Sequence, residues 1–406
     1  MKNNRQIRLL FLGIPSCGHI IPTLHLVKTL IVSGCEITYF NTEAFKDLIE
    51  ESGAKFVDYN SASLSNISIP ISLMKPHEIT IELQKIFFLS TLEILPLISL
   101  YHENKAFDAV IYDQMAIWGQ IFADKYNLLS FCSNTMFLFS SEDIINQLPQ
   151  FISSLDLEYN NKFNLLKSSN CKFESYKDIL DIQTATRADY IITYYSPDLL
   201  TTPRHFNNNN IIYLGNRFDS NYSPSTAELT PESMIYISLG TVFNDKIDLF
   251  KLFIETFEIT KYQVIISTGN NEAMYAFLKN RNTSSNIRIY KFVNQLEILS
   301  QASIFITHAG FNSIYEGLYF TVPMIMIPHV PEQYFNASRV KELKAGYLLD
   351  QEEIYTYGMA QAMINLRKDW KIYKDSSIKI RKNFLKASDN VKVASKIKSV
   401  IGKYTR

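Results

Sequence analysis

Residues 292–336 read FVNQLEILSQASIFITHAGFNSIYEGLYFTVPMIMIPHVPEQYFN. In the middle, Ser303–Thr307 is a short apolar run rich in Ile and Phe, the composition of a strand buried on both faces of a parallel sheet. The run stops at His308-Ala309-Gly310, and Phe311 to Phe320 reads as a helix with Phe311, Ile314 and Leu318 on one side. A strand, a turn of small residues and a helix start make a ready anion site. The first turn's backbone N–H groups lack intrahelical partners, and the dipole favours negative charge. His308, Asn312 and Ser313 add side-chain donors there, and Glu316, one turn on, suits a sugar hydroxyl. After a second apolar strand, Met324–Ile327, Pro331-Glu332-Gln333 stands at another predicted helix start.

Working outward, the alternation of strand and helix continues. Upstream lie strands Met234–Leu239, Gln263–Ser267 and Ile287–Lys291, with helices Ile247–Thr260 and Asn271–Lys279 between them; downstream, Trp370–Tyr404 is largely helical and mixed in charge. Asn216–Glu232 is polar and rich in Pro, Ser and Thr, a linker signal. Before it, strands are expected at Arg8–Gly13, Cys35–Asn41, Lys55–Asp58, Asp108–Tyr112, Leu129–Ser133, Tyr190–Thr193 and Ile211–Leu214. Helices are expected at Ile20–Ser33, Ala44–Ser52, His77–His102 and Trp118–Tyr126. Strands alternating with helices mean parallel sheets covered on both faces. The expected fold class is therefore α/β, with two Rossmann-like doubly wound domains at 1–215 and 233–385, a linker at 216–232 and a last helix at 386–406. Residues 60–76 and 134–185 interrupt the alternation, either as walls of a variable pocket or as plain helical decoration.

Composition narrows the function. Lys and Arg together number 40, as do Asp and Glu, so there is no electrostatic footprint for nucleic acid or an anionic membrane. Cys17, Cys35, Cys132 and Cys171 show neither a C-x-x-C pair nor zinc spacing, and read as free thiols of a reducing compartment. The apolar run Leu9–Pro15 is too short for a signal peptide, and Ile86–Tyr101, with Glu93 and Pro96 inside it, falls short of a membrane span. A cytoplasmic protein without stable membrane insertion is expected, as monomer or homodimer.

The first turn, Gly13-Ile14-Pro15-Ser16-Cys17-Gly18-His19, follows strand one and opens helix one. Its glycine spacing matches a P-loop, but His19-Ile20 stands where Lys-Ser/Thr would hold phosphate and Mg²⁺, and G-x-G-x-x-G is absent. Neither ATP nor NAD chemistry is supported. What the turn offers is an imidazole at the carboxyl edge of the sheet, where a helix N-terminus disfavours its protonated form and so favours a neutral base. Asp113, at the carboxyl end of its own strand, lies on the same side and suits the orienter of a base. Asp108, at the other end, reads as a loop cap.

Phe292-x-x-Gln295, His308-x-Gly310-x-Asn312-Ser313-x-x-Glu316, Pro323, Pro331-Glu332-Gln333 and Asn336 together resemble the donor-binding signature of the family 1 UDP-dependent glycosyltransferases, in the bacterial macrolide and natural-product branch. Two positions depart from that pattern: Ala309 replaces a usual Gly, and His329-Val330 replaces a usual Gln or Trp. Gly18-His19-x-x-Pro22 with Asp113 likewise resembles the family's base and orienter. The resemblance implies a GT-B arrangement, two domains facing across a cleft, with the last helix returning to the acceptor-binding first domain. It implies an inverting transfer of a hexose, most simply glucose, from a UDP-sugar to a hydroxyl of a macrolide, polyketide or flavonoid-like acceptor. Phe292 would stack on uracil, with the backbone at Val293 and Gln295 nearby. Glu316 would hold the ribose, and Glu332 and Gln333 the hexose. His308, Gly310, Phe311, Asn312 and Ser313 would hold the diphosphate, and Gly18 would also face the donor. Thr241 is either a further donor-site hydroxyl or a plain turn residue.

The chain holds no Asp-x-Asp, so no metal or other cofactor is expected. His25, His77, His102 and His205 show no partner spacing. Trp118, Phe137 and Phe139 are either core or the walls of an apolar acceptor pocket. A UDP-GlcNAc enzyme of the same fold, a cell-wall lipid transferase or a 2-epimerase, is the alternative; the charge balance and Pro15-Ser16-Cys17 argue against the lipid transferase. A non-catalytic UDP-sugar-binding protein would have no use for both His19 and Asp113.

Overall fold

The computed structural model describes residues 6–65, 76–142, 173–197, 206–218, 229–241, 246–269, 271–281, 284–349 and 353–404, with residues 145, 153, 155, 199, 223 and 224. Cys171, His205, the His77 side chain, and much of the segments 60–76, 134–185 and 216–232 lie outside the described residues.

The chain divides into two compact units, one built from Met1–Pro70, His77–Arg217 and Ala387–Arg406, the other from Phe218–Lys386. The first carries a seven-stranded sheet in the order β3-β2-β1-β4-β5-β6-β7. Its strands are β1 (Arg8–Leu12), β2 (Glu36–Asn41), β3 (Lys55–Asp58), β4 (Ala109–Asp113), β5 (Leu129–Asn134), β6 (Tyr190–Thr193) and β7 (Ile211–Tyr213). The second carries a six-stranded sheet, β10-β9-β8-β11-β12-β13. These strands are β8 (Met234–Ser238), β9 (Gln263–Ser267), β10 (Ile287–Tyr290), β11 (Ile304–Thr307), β12 (Met324–Met326) and β13 (Gly346–Leu348). Every pairing described is parallel. The central strands β4, β5 and β11 are buried at every residue, because helices cover both faces; that is why β4 and β11 read as apolar runs up to their last residue, while β5 buries Ser130, Ser133 and Asn134 as well.

The structure departs from the sequence expectation in instructive places. The first helix runs Cys17–Val32, starting three residues before Ile20, so Gly18 and His19 lie in its first turn. β13 has no counterpart in the sequence reading: three residues at a sheet edge carry too little pattern to register. The C-terminal region is two helices, Met359–Lys386 and Asn390–Tyr404. The last buries Val393, Ile397 and Ile401, spaced four apart on one face, within the first unit. Its Lys398 ammonium donates to the Ser33 carbonyl, and the Tyr404 hydroxyl donates to the Asn127 carbonyl at 3.3 Å.

The expectation that the apolar segment around Ile86–Tyr101 is too short to span a membrane is corrected. Helix Pro76–Asn104 contains a stretch, Ile81–Asn104, long and apolar enough to do so. Its Phe87, Phe88, Ile94 and Ile98 sit in the core of the first unit, and Glu93 accepts from the Ser63 hydroxyl at 2.6 Å. Those side chains pack in one cluster with sheet residues such as Leu10 and Val110, while Leu89 and Leu100 of the same helix are exposed.

Candidate active site

In each unit the sheet order reverses between two adjacent strands, β1/β4 in the first and β8/β11 in the second. Such a reversal opens a crevice at the carboxyl ends, where α/β sheets bind ligands. In the first unit, Leu12 pairs with Tyr112, so the turn after β1 lies beside the end of β4. That turn is braced by Gly13 N–H on the Phe40 carbonyl at 3.2 Å and by Asn41 Nδ2 on the Ile14 carbonyl at 3.2 Å.

The brace delivers His19 to Asp113: Nδ1 lies 2.7 Å from Asp113 Oδ2, with side-chain exposures of 20% for the histidine and 2% for the aspartate. Asp113 Oδ1 accepts from the Met115 N–H at 2.9 Å, which fixes the carboxylate. A carboxylate only accepts, so Nδ1 carries the hydrogen of this contact, and in the neutral ring the lone pair is then on Nε2. The part-exposed imidazole is then arranged as a base with a buried orienter. The Cys132 thiol is pushed well up by burial and then by the Asp113 charge, and burial likewise raises Cys17. Both are protonated thiols, not competing nucleophiles.

One group at this site escaped the sequence reading. Thr135, just past β5, places Oγ1 3.0 Å from His19 Nδ1. β5 pairs with β4 and sets Ser133 opposite Asp113. The reasoning that singled out Asp113, a polar residue at the carboxyl end of a strand, applies equally two residues past Ser133.

In the second unit, Ser238 pairs with Thr307, which brings Gly240 against His308. A Cβ on Gly240 would meet His308 Cε1 at 2.7 Å, and one on Gly310 would meet Nε2 at 2.5 Å. The imidazole is thus slotted between two glycines. Burial pushes it down to about 4 against the opposing pull of the Ser238 backbone, so it is neutral at pH 7. His329 falls to about 3 through burial, then through the charges of Lys246 and His308. The helix Phe311–Tyr319 starts from Gly310, which has no side chain with which to satisfy the first-turn N–H groups.

The residue between them, Ala309, is fully buried at φ +65°, in the left-handed region that glycine tolerates best. Asn336 Nδ2 holds it in place by donating to its carbonyl at 3.0 Å. Ala309→Val combines a β-branched residue at positive φ with overpacking, and is expected to cost about 2 kcal/mol or more. Ala309→Gly is expected to stay within about 1 kcal/mol of wild type. Denaturant unfolding of both variants checks the pair; equal stability of the two would contradict the backbone account.

The remaining donor-site candidates divide. Phe292 is 66% exposed, a ring offered to solvent, with Val293 half-buried beside it. Gln295 donates through Nε2 to Glu316 Oε2 at 2.5 Å and accepts from the Tyr236 hydroxyl at 3.1 Å, so two residues far apart in sequence form one polar pair. Glu332 Oε1 accepts from Asn336 Nδ2 at 2.7 Å. Gln333 is buried, and its side-chain oxygen accepts from the His329 N–H at 2.8 Å, bracing the start of helix Pro331–Glu342. Asn312 is half-buried and Ser313 and Phe311 buried; Thr241 and Gly18 are exposed.

Two of the aromatic candidates are fully buried. Trp118 is fully buried and donates its indole N–H to the Tyr59 hydroxyl at 3.1 Å. Phe137 is fully buried edge-on to Tyr195, with ring centroids 5.2 Å apart. Phe139 keeps partial exposure. Among the described residues, no group of three His, Cys, Asp or Glu side chains is placed to hold a metal.

Comparison with known proteins fits this geometry. The family model described as UDP-glucoronosyl and UDP-glucosyl transferase matches residues 214–384. The NDP-glycosyltransferase YjiC of Bacillus licheniformis is 30% identical over 86% of this chain and 87% of its own length. The uncharacterized UDP-glucosyltransferase YdhE of Bacillus subtilis is 28% identical over 97% of this chain and 98% of its own. Among solved structures, the glycotransferase of kitacinnamycin superposes with a TM-score of 0.79 at 18% identity, covering 97% of this chain and 99% of that one; it is a likeness of fold.

Proposed function

This chain belongs to the UDP-glycosyltransferase family and has its GT-B fold, and from that premise we propose that it moves a hexose, glucose first among them, from a UDP-sugar to a hydroxyl of a lipophilic acceptor, inverting the anomeric carbon. The observation that carries the reading is the 2.7 Å contact of His19 Nδ1 with buried Asp113, which leaves Nε2 as a base. His19 Nε2 takes the acceptor hydroxyl's proton as its oxygen attacks the anomeric carbon from the face opposite UDP. The glycosidic bond to the β-phosphate breaks, and the phosphate leaves with the added charge. Asp113 stabilises the imidazolium that forms.

The second unit is assigned the leaving group. A neutral His308 contributes a hydrogen bond rather than a charge, so the fixed dipoles of the N–H groups at Gly310–Ser313 carry the stabilisation. Phe292 is assigned to the uracil, and Gln295 with Glu316 to the ribose. The free thiols of Cys17, Cys35 and Cys132 support a cytoplasmic setting.

Incubation with UDP-glucose and a panel of phenols and macrolides is expected to give products heavier by one hexose, at full rate in excess EDTA. No transfer from any UDP-sugar to any acceptor, with UDP still bound, would overturn the reading. Loss in EDTA that Mg²⁺ restores would overturn the fixed-dipole account alone.

A further inference from the structure

Thr135 stands where β5 ends, two residues beyond Ser133, the register partner of Asp113. It is 2% exposed, and Oγ1 lies 3.0 Å from His19 Nδ1. The same nitrogen lies 2.7 Å from Asp113 Oδ2. An imidazole nitrogen carries at most one hydrogen, so the two oxygens compete for one position.

Two arrangements satisfy the chemistry. With hydrogen on Nδ1, the Asp113 carboxylate accepts it, and Thr135 Oγ1 accepts the same hydrogen as the weaker arm of a three-centre bond. With hydrogen on Nε2, the Thr135 hydroxyl donates to Nδ1, but the Nδ1 lone pair then faces an anionic oxygen at 2.7 Å and is repelled. Only the first puts the ring's lone pair on Nε2, where it can accept a proton. The oxygen of Thr135 therefore reinforces the productive state as long as it accepts.

We propose that Thr135 is a positioning residue which, with Asp113, fixes the ring plane and the Nδ1–H tautomer of His19. Asp113 supplies the charge and ends one strand; Thr135 supplies a second, neutral acceptor from just past the end of the neighbouring strand. Held from the end of β4 and from the residue just past β5, the ring has less freedom to swing about its bond to Cβ than one carboxylate would leave it. The role rests on the reading of His19 as the base, and the test separates the two.

Valine matches threonine in shape without the hydroxyl, and serine keeps the hydroxyl. With ¹⁵N-labelled histidine, and His19→Ala to assign the signals, the wild type is expected to show a hydrogen-bearing Nδ1 and a lone-pair Nε2 at residue 19. Thr135→Val is expected to move both signals toward a tautomer mixture and to lower kcat about fivefold, with KM for donor and acceptor within twofold. Thr135→Ser is expected to restore both. Unchanged ¹⁵N signals in Thr135→Val would overturn the proposal. So would a raised donor KM at constant kcat, which would assign the hydroxyl to the sugar instead. Serine failing as badly as valine would reduce the role to packing and overturn it too. The ¹⁵N pattern needs no turnover, so normal transfer by His19→Ala would sink the base assignment while the tautomer result stood on its own.

Discussion

His19→Ala is expected to lower kcat on an unactivated alcohol by about a thousandfold, the usual weight of a positioned general base. Affinity for UDP is expected to stay within a few-fold, because Phe292, Gln295 and Glu316 belong to the second unit and His19 to the first. The contrast between rate and affinity is the diagnostic feature: a group acting only on the acceptor's proton has little to lose from UDP binding. Asp113 cannot substitute as the base, since its side chain is 2% exposed and one of its oxygens is held by the Met115 N–H. Removing the imidazole also leaves a buried carboxylate without its nearest partner, which destabilises the turn. His19→Gln, which keeps a donor for that carboxylate, controls for this: it should fold normally and be equally slow. Initial rates with a phenol and with an aliphatic alcohol, alongside UDP calorimetry, check the expectation. Near-normal turnover of the alcohol by either variant would show that the base is another group.

The second large effect concerns stability. In helix Trp118–Tyr126, Gly119 lies against β4 so closely that an added Cβ would fall 2.2 Å from Tyr112 Cβ and 2.5 Å from its Cγ. Neither atom is the end of a flexible chain, so the helix must shift bodily. The surroundings leave no room: Trp118, Ile121 and Phe122 are buried, and the Tyr112 hydroxyl donates to Gln120 at 2.8 Å. Gly119→Ala is expected to cost about 3 kcal/mol or more, an overpacking loss at the upper end of its range. A cost of that size lowers the melting temperature of the first unit by roughly 6–12 °C. The second unit has its own core, so calorimetry should show an early transition separating from a later one. Tyr112 precedes Asp113, so a helix forced off β4 also disturbs the carboxylate, and transfer should fall with stability. A variant with an unaltered melting profile would mean that the helix seats more loosely than this contact implies.

How much of this was legible beforehand follows from what a linear pattern can carry. Strands such as β4, β5 and β11 announce themselves because burial on both faces leaves no polar residue within reach of water. His19, Asp113 and His308 could be found because they stand at strand ends, where such sheets expose functional groups. Trp118 and Phe137 were ambiguous for the opposite reason: an aromatic residue near a strand end suits a core or a pocket equally. Its fate turns on distant groups, here the hydroxyl of Tyr59 and the ring of Tyr195.

The sequence by itself determined the alternating architecture, the division into two sheets and the choice of His19 and Asp113 as the pair to examine at the strand ends. Each is written in local spacing: the period of burial and the place of a residue at the end of its strand. Tertiary structure alone decided that Thr135 shares the His19 nitrogen, that Ala309 holds a glycine's conformation, and that Gln333 braces a turn from inside the fold. Those outcomes depend on which strands become neighbours and on how closely backbones approach, and no spacing along the chain encodes a distance across it.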